Sequence, residues 1–390
     1  MSGGVDAVAA TNQAINVLIG GAWAAGDTFK LLLTAGDTGT QTLLGRGNLT
    51  GLVPAFLFTL NRKVYLLAGS TALFSAVDRP TAFNDLNGAG NSFVKLANTF
   101  ANPENVTAMM LFQGKAAFLS RRSVQIWNID ADPDQWSQVQ VLENIGTLAA
   151  ESAKRIGEWE GVFLADSGFR SLRARVATDN AEVNDLGAPI DTLVQAKLAA
   201  STALQKAAAC GVVEPNSNRY WCFLNDTIYV LSYFPSAQIV AWSTYAPTYD
   251  DGAGNQVAFT PQNFVVLNGQ VFTRDGDALY AYGSADGNTY DGAVAQGDTP
   301  FLDMQTPAAG KDFYGIDVAC SGGWQVYIGT NIADGTDLAL AYSQIGSSYA
   351  NGVIPIGRRG THIKMRFKTT GNTAAILSKG ITHFGNPYEK

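Results

Sequence analysis

Short apolar runs of three or four residues alternate with turn residues along much of the chain, and the alternation recurs as a paired unit. The pairs are Val64-Tyr65-Leu66 with Leu73-Phe74-Ser75, and Ala117-Phe118-Leu119 with Val124-Gln125-Ile126-Trp127. They continue as Val162-Phe163-Leu164 with Phe169-Arg170-Ser171-Leu172, then Cys222-Phe223-Leu224 with Ile228-Tyr229-Val230-Leu231. Val271-Phe272-Thr273 with Leu279-Tyr280-Ala281-Tyr282 is the last. First residues of paired runs lie 9, 7, 7, 6 and 8 positions apart, the length of a strand plus a tight turn. Ala68-Gly69-Ser70, Asp166-Ser167-Gly168, Asn225-Asp226 and Arg274-Asp275-Gly276-Asp277 fill the gaps. Gly, Asn and Asp accept the positive φ that hairpin turns demand. A further turn precedes most pairs, at Leu60-Asn61-Arg62, Phe112-Gln113-Gly114, Trp159-Glu160-Gly161 and Leu267-Asn268-Gly269. Each unit therefore holds at least three strands.

The units start at residues 64, 117, 162, 222 and 271, in steps of 53, 45, 60 and 49 residues. Repeats of about 40–50 residues with three or four strands are the pattern of propeller blades. Radial repetition also removes most exposed sheet edges, which such strands would otherwise offer for aggregation. The alternative is an irregular β-sandwich whose hairpins resemble one another by chance. The expected fold is all-β: a β-propeller-like domain of repeated hairpins with one inserted helix, and a smaller C-terminal β-sheet or sandwich domain.

The inserted helix is expected over 191–209, where Ala, Leu, Lys and Gln dominate and Gly and Pro are absent. Its loose apolar stripe would be Leu193, Ala196, Leu198, Ala200, Leu204 and Ala207. Past about Asp291 the hairpin pattern fades, and period-two alternation appears in Ile316-Asp317-Val318, Trp324 to Ile328 and His362 to Phe367. The expected domains are an N-terminal arm and strand pair over 1–50, the propeller-like domain over 51–290, and the sandwich-like domain over 291–390. Trp127, Trp221 and Trp242 sit in alternating segments and are expected to be largely buried.

Composition adds a second theme. Charged residues are only 15% of the chain, while glycines number 41. So little charge on a globular surface argues for coverage by other subunits, hence oligomerisation. The net charge of −7 opposes any role that grips nucleic acid through its phosphates. It leaves room for a surface past which DNA slides. Cys210, Cys222 and Cys320 show neither CxxC spacing nor an even count, so they read as buried free thiols. No secretory leader and no membrane-spanning run is expected.

Little in the sequence suggests reaction chemistry. His362 and His383 have no ligand-spaced neighbours, and no nucleophile elbow, P-loop or HExxH motif is present. Asp132-Pro133-Asp134, Asp250-Asp251 and Asp286 could serve calcium or glycoside hydrolysis, but solvated loop carboxylates explain them as well. Ser284 to Tyr290 resembles an Asp-box turn, one residue short and ending in Tyr. The paired arginines Arg121-Arg122 and Arg358-Arg359 suit bidentate carboxylate contacts between subunits. The expectation is no enzyme, no cofactor and no metal.

Four stretches together resemble virion proteins of the tail-hub, or nozzle, type in short-tailed bacteriophages. They are Lys63-Val64-Tyr65 through Asp78-Arg79-Pro80, Gly114 through Trp127, Phe163 through Arg175, and Arg219-Tyr220-Trp221 through Pro235 with Ala241 to Tyr245. The resemblance covers roughly residues 50–250. It implies a propeller domain, a homo-oligomer in the form of a hexameric ring, and closure of the distal end of the tail. It further implies contacts with the portal, the adaptor, other tail proteins and tail fibres, with viral DNA passing through unbound. The location would be the virion tail, after assembly in the host cytoplasm, with no membrane insertion. No catalytic residue is carried over. Two other readings stay open: a receptor-binding tail protein, and a carbohydrate-binding or carbohydrate-cleaving propeller.

Overall fold

The computed structural model describes residues 54–80, 83, 91–96, 104–130, 132, 135–157, 160–174, 181–234, 239–251, 253, 255–283, 294–344, 352–370 and 375–385. The N-terminal arm expected over 1–50, the Asp-box-like turn and Asp286 lie outside these residues. Two compact units emerge: residues 1–247 with 259–281, and residues 248–258 with 282–390.

The first unit is a chain of antiparallel meanders in strict sequence order. Sheet one holds β1 (Phe56–Leu60), β2 (Lys63–Ala68), β3 (Thr71–Phe74) and β4 (Ser92–Lys95). Sheet two holds β5 (Val106–Phe112), β6 (Lys115–Ser120), β7 (Ser123–Asn128) and β8 (Ser137–Glu143). Sheet three holds β9 (Lys154–Ile156), β10 (Glu160–Ala165), β11 (Gly168–Ala174) and β12 (Ala181–Asn184). Sheet four holds β13 (Cys210–Glu214), β14 (Arg219–Leu224), β15 (Thr227–Phe234) and β16 (Ile239–Tyr245). The short hairpin β17 (Thr248–Asp250) and β18 (Gln256–Ala258) belongs to the second unit, and sheet five of the first holds β19 (Phe264–Leu267), β20 (Gln270–Asp275) and β21 (Ala278–Ala281).

All five hairpins read from the sequence are present, each on its own sheet, with Val64 on β2 and Val162 on β10. Local turn chemistry builds them. Gly69, Gly168, Asn225 and Gly276 hold positive φ in four of the five central turns, and in the turns that precede three of the hairpins, at Asn61-Arg62, Gln113-Gly114 and Asn268-Gly269, both residues do. The chain is thus a propeller-like repeat protein of the all-β class.

Consecutive sheets pack face to face through apolar side chains. Tyr65, Leu67 and Phe74 of sheet one meet Ala116 and Phe118 of sheet two. Ala117 and Leu119, on the opposite face of β6, meet Phe163, Ala165 and Leu172 of sheet three. Val162 and Leu164 then meet Tyr220, Cys222 and Leu224 of sheet four. Both faces of the inner sheets are covered, so β10 is buried at all six positions and shows no period-two alternation of exposure. Each fully buried Phe or Leu contributes roughly 1.5–3 kcal/mol through removal from water. Tyr220 Oη donates to the Ser152 carbonyl at 2.7 Å, and Trp242 Nε1 donates to the Leu186 carbonyl at 2.8 Å, tying sheet four to its predecessor.

The tryptophan expectation holds at one position. Trp221 is 1% exposed, but Trp127 and Trp242 are only half-buried. Trp242 lies on β16, the outermost strand of its sheet, where the neighbouring sheet covers only part of an indole.

The second unit contains β22 (Gln296–Asp298), β23 (Lys311–Ser321), β24 (Trp324–Gly329), β25 (Ala339–Gln344), β26 (Ile354–Gly360), β27 (Lys364–Thr369) and β28 (Ile376–Gly385). They form two antiparallel sheets, ordered β22-β27-β24-β25 and β26-β23-β28. Phe313, Ile316 and Val318, with a register shift after Phe313, pack with Trp324, Val326, Ile328, Met365 and Phe367 in one core, which makes a small sandwich. Lys311 is buried, and its ammonium donates to the carbonyls of Thr306, Ala309 and Thr361 at 2.6, 3.0 and 3.0 Å. All three of its protons are thereby used.

Candidate functional site

The central turn of each meander lies at one end of its sheet, and the connections into sheets three and four run along that same end. Several ion pairs and polar bonds of the unit form at these turns. Arg121, in the β6–β7 turn, pairs through Nε with Asp166 Oδ2 in the β10–β11 turn at 2.9 Å. The Arg122 backbone N–H donates to Glu104 Oε2 at 2.9 Å. One paired-arginine candidate therefore already binds carboxylates of its own chain.

The helical insert sits over the next pair of turns. It is two helices rather than one, α1 (Asp191–Ala200) and α2 (Ala203–Ala207). The break falls at Ser201-Thr202, where the Thr202 side chain accepts from Gln205 N–H and Gln205 returns the bond to Thr202 N–H. Val194 and Leu198 are the buried positions of α1 and join the core between sheets three and four. Of the stripe read from the sequence only Leu198 is buried. Leu193 and Leu204 are exposed, at 53% and 80%, because the chain turns between the two helices and one continuous face never forms.

Polar bonds fix the insert to the rim. Arg170 makes a fork onto Asp191, with both nitrogens 2.9 Å from the two carboxylate oxygens, and also pairs with Asp185 at 2.8 Å. Gln195 donates to the Ser167 carbonyl at 3.1 Å, in the β10–β11 turn. Lys197 Nζ reaches Asp226 Oδ1 at 2.6 Å, and Gln205 Nε2 reaches Asn225 Oδ1 at 2.7 Å, both in the β14–β15 turn. The hydrogen bond from Lys197 holds the Asp226 carboxyl below the usual carboxylate range. The insert thus clamps two adjacent sheets at one end.

Arg170 and Arg121 should behave differently when truncated. Arg170→Ala removes a nearly buried guanidinium and strands Asp191, so chemical denaturation should register a loss of about 2–3 kcal/mol. Arg121→Ala breaks a half-exposed pair and should stay below about 1 kcal/mol. Equal losses would contradict this assignment.

The other arginine pair belongs to the sandwich unit. Arg358 and Arg359 lie on β26, opposite Phe313 and Asp312, and Arg359 Nε is 3.6 Å from Asp312 Oδ1. His383 Nε2 lies 2.9 Å from Asp317 Oδ2, and the Thr361 hydroxyl lies 2.8 Å from His362 Nδ1. Asp251 organises its own turn, accepting from the Ala253 and Asn255 backbone and the Asn255 side chain. Asp132 is described, and Asp134 lies outside the described residues. Among the described residues no group of three or more His, Cys, Asp or Glu is placed to hold a metal ion. All three thiols are buried and free, and burial pushes the Cys222 thiol up to about 12, so it remains protonated. No helix among the described residues is long and apolar enough to cross a membrane.

No protein-family model and no curated protein matches the sequence. Solved structures with similar backbones include BamB from Moraxella catarrhalis, at 8% identity and a TM-score of 0.34, covering 58% of this chain and 55% of that one. A 6-phosphogluconolactonase homologue from Bacteroides fragilis aligns at 9% identity and a TM-score of 0.35, covering 58% of this chain and 68% of the other. An exo-β-1,3-galactanase from Phanerochaete chrysosporium aligns at 11% identity and a TM-score of 0.28, covering 84% and 95%. The chain spans just over half the length of BamB. Likenesses of this strength assign no activity.

Proposed function

We propose that this chain is a virion structural protein, a tail-hub or nozzle subunit of a short-tailed bacteriophage. In this reading it assembles into a hexameric ring that closes the tail channel and passes DNA during ejection. The portal, the adaptor and other tail proteins are its partners. It acts as a scaffold, without catalytic residues or a cofactor.

One coincidence carries the reading. The four stretches that resemble nozzle proteins fall on the central hairpins of four consecutive sheets, β2–β3, β6–β7, β10–β11 and β14–β15. The resemblance therefore follows the structural repeat and is not scattered across it. Charge supports the reading as well. With 33 acidic against 26 basic side chains, a channel wall drawn from this surface would repel phosphates and leave DNA mobile.

Native mass spectrometry of the purified chain should find a ring-sized oligomer. A monomer that binds glycans would overturn the reading in favour of a carbohydrate-binding propeller. Duplex DNA should show no measurable affinity at physiological salt. Binding at micromolar protein that weakens steeply as salt rises would likewise count against a conduit.

A further inference from the structure

Strand β9 is too short for its partner. Its three residues pair with Glu160, Gly161 and Val162 of β10, and the ladder stops there. The same register continued would set Ser152 opposite Leu164, but Ser152 lies in the 3₁₀ turn Ala150–Ser152. Its backbone is committed elsewhere: the N–H donates to the Ala149 carbonyl at 3.0 Å, and the carbonyl accepts from Tyr220 Oη. Side chains finish the ladder instead. Leu164 N–H donates to Ser152 Oγ at 3.1 Å, and the Leu164 carbonyl accepts from Thr147 Oγ1 at 2.6 Å. Both hydroxyls are also held within the connection, since Ser152 Oγ donates to the Ala149 carbonyl at 2.7 Å and Thr147 Oγ1 accepts from Ala149 N–H at 2.9 Å. Thr147 and Ser152 are completely buried.

The run of bonds continues in both directions. Toward sheet two, Thr147 N–H donates to the Ser120 carbonyl at 2.8 Å, and the Thr147 carbonyl accepts from Thr107 Oγ1 at 2.6 Å. Thr107 is the extra residue where the β5–β6 register shifts between Val106 and Ala108. A bulge re-aims the side chain it carries, here onto the connection. Toward sheet four, the Ser152 carbonyl holds the phenol of Tyr220 at 2.7 Å, and Tyr220 is itself completely buried. No hydrogen bond joins Thr107 to Tyr220 directly.

We propose that Thr107, Thr147, Ser152 and Tyr220 form one conformational relay, which couples sheet two to sheet four across the connection of residues 144–153 between β8 and β9. The apolar contacts between these sheets are non-directional and leave their relative setting loosely fixed. The relay is directional, and each member satisfies a backbone group that would otherwise be buried without a partner. Loss of the Thr107 bond therefore releases Thr147, and Leu164, Ser152 and Tyr220 relax in turn. Arg121 follows Ser120 directly, so a displacement of the β6–β7 turn enters the relay at that carbonyl. Such coupling belongs to the single chain and would be present in a monomer and in a ring alike.

Amide exchange at Leu164 in the full-length chain tests it. Ser152→Ala removes the acceptor of that N–H and should speed its exchange about ten-fold or more. Thr107→Val, on another sheet, should speed it about three-fold or more, and Thr107→Ser, which keeps the hydroxyl, should leave it unchanged. A double-mutant cycle of Thr107→Val with Tyr220→Phe should depart from additivity by more than about three-fold in the unfolding constant, beyond the roughly two-fold scatter of independent sites. Thr107→Val with Trp242→Phe is the control and should be additive, because Trp242 ties sheet four to the Leu186 carbonyl outside the relay. Unchanged exchange at Leu164 in Thr107→Val would overturn the relay, and so would additivity in the first cycle. Equal coupling in both cycles would mean a general loosening of the unit and would overturn it too. If Thr107→Val does not fold, Tyr220→Phe reads the relay from its other end: faster exchange at Leu164 supports it, and unchanged exchange overturns it.

Discussion

Replacing Trp221 with alanine should lower the stability of the repeat unit by about 3–5 kcal/mol, the largest loss expected from any single truncation here. The indole is 1% exposed and lies in the middle of β14, paired across the sheet with Val212 and Val230. Tyr245 meets it edge-on at a centroid separation of 5.4 Å. Truncation therefore forfeits the transfer energy of a large aromatic and leaves a cavity between covered sheets that cannot collapse freely. Trp127→Ala provides the comparison, since its ring is half-exposed and keeps a bond from Nε1 to Gln125 Oε1 at 3.0 Å. Calorimetric melting of both variants checks the claim. Equal shifts would mean that burial is not what distinguishes the two rings.

Gly146→Ala should destabilise by at least about 3 kcal/mol, at the upper end for overpacking, although it adds a single methyl group. The segment Ile145-Gly146-Thr147 runs beside the β6–β7 turn and is bonded to it. Ile145 N–H donates to Arg122 O at 3.2 Å and Thr147 N–H to Ser120 O at 2.8 Å. A Cβ on residue 146 would run into Ser120 O and stand 2.8 Å from the Arg121 carbonyl carbon. Both obstacles are backbone, so no side-chain rotation relieves them. The turn that presents Arg121 must shift or the connection into sheet three must detach. Gly114, at the opposite end of the same sheet, has open space around it, and its sensitivity comes from positive φ instead. Gly146→Ala should therefore disrupt the Arg121–Asp166 pair together with stability. Denaturant midpoints and amide exchange in 145–147 would report both, and unchanged exchange there would count against this account.

Much of the fold was readable because its signals are local. Each hairpin needs an apolar run, a turn residue that accepts positive φ, and a second run, all inside about a dozen residues. Gly69, Gly168, Asn225 and Gly276 supply that signal from their own backbone preferences. The sandwich strands were equally legible: β27 alternates buried and half-buried positions strictly, since one face is a core and the other is not.

Side-chain fate was less legible, for a definite reason. In β10 every position is buried, so periodicity cannot say which residues meet sheet two and which meet sheet four. Trp127, Trp221 and Trp242 have similar local sequence contexts, yet only Trp221 is enclosed. The insert misled in the same way, because an Ala-rich segment carries almost no amphipathic signal. Its docking is decided by Val194, Leu198 and the fork from Arg170, 21 positions before its partner Asp191.

The sequence by itself determined the class, the number of hairpins and the places where the chain reverses, since these follow from residue preferences over a few bonds. Tertiary structure alone decided which carboxylate occupies Arg121, 45 residues from Asp166. It also decided that Trp221 is enclosed while Trp127 and Trp242 are only half-buried. Coverage depends on what the rest of the chain brings to a surface, and no short window of sequence contains that.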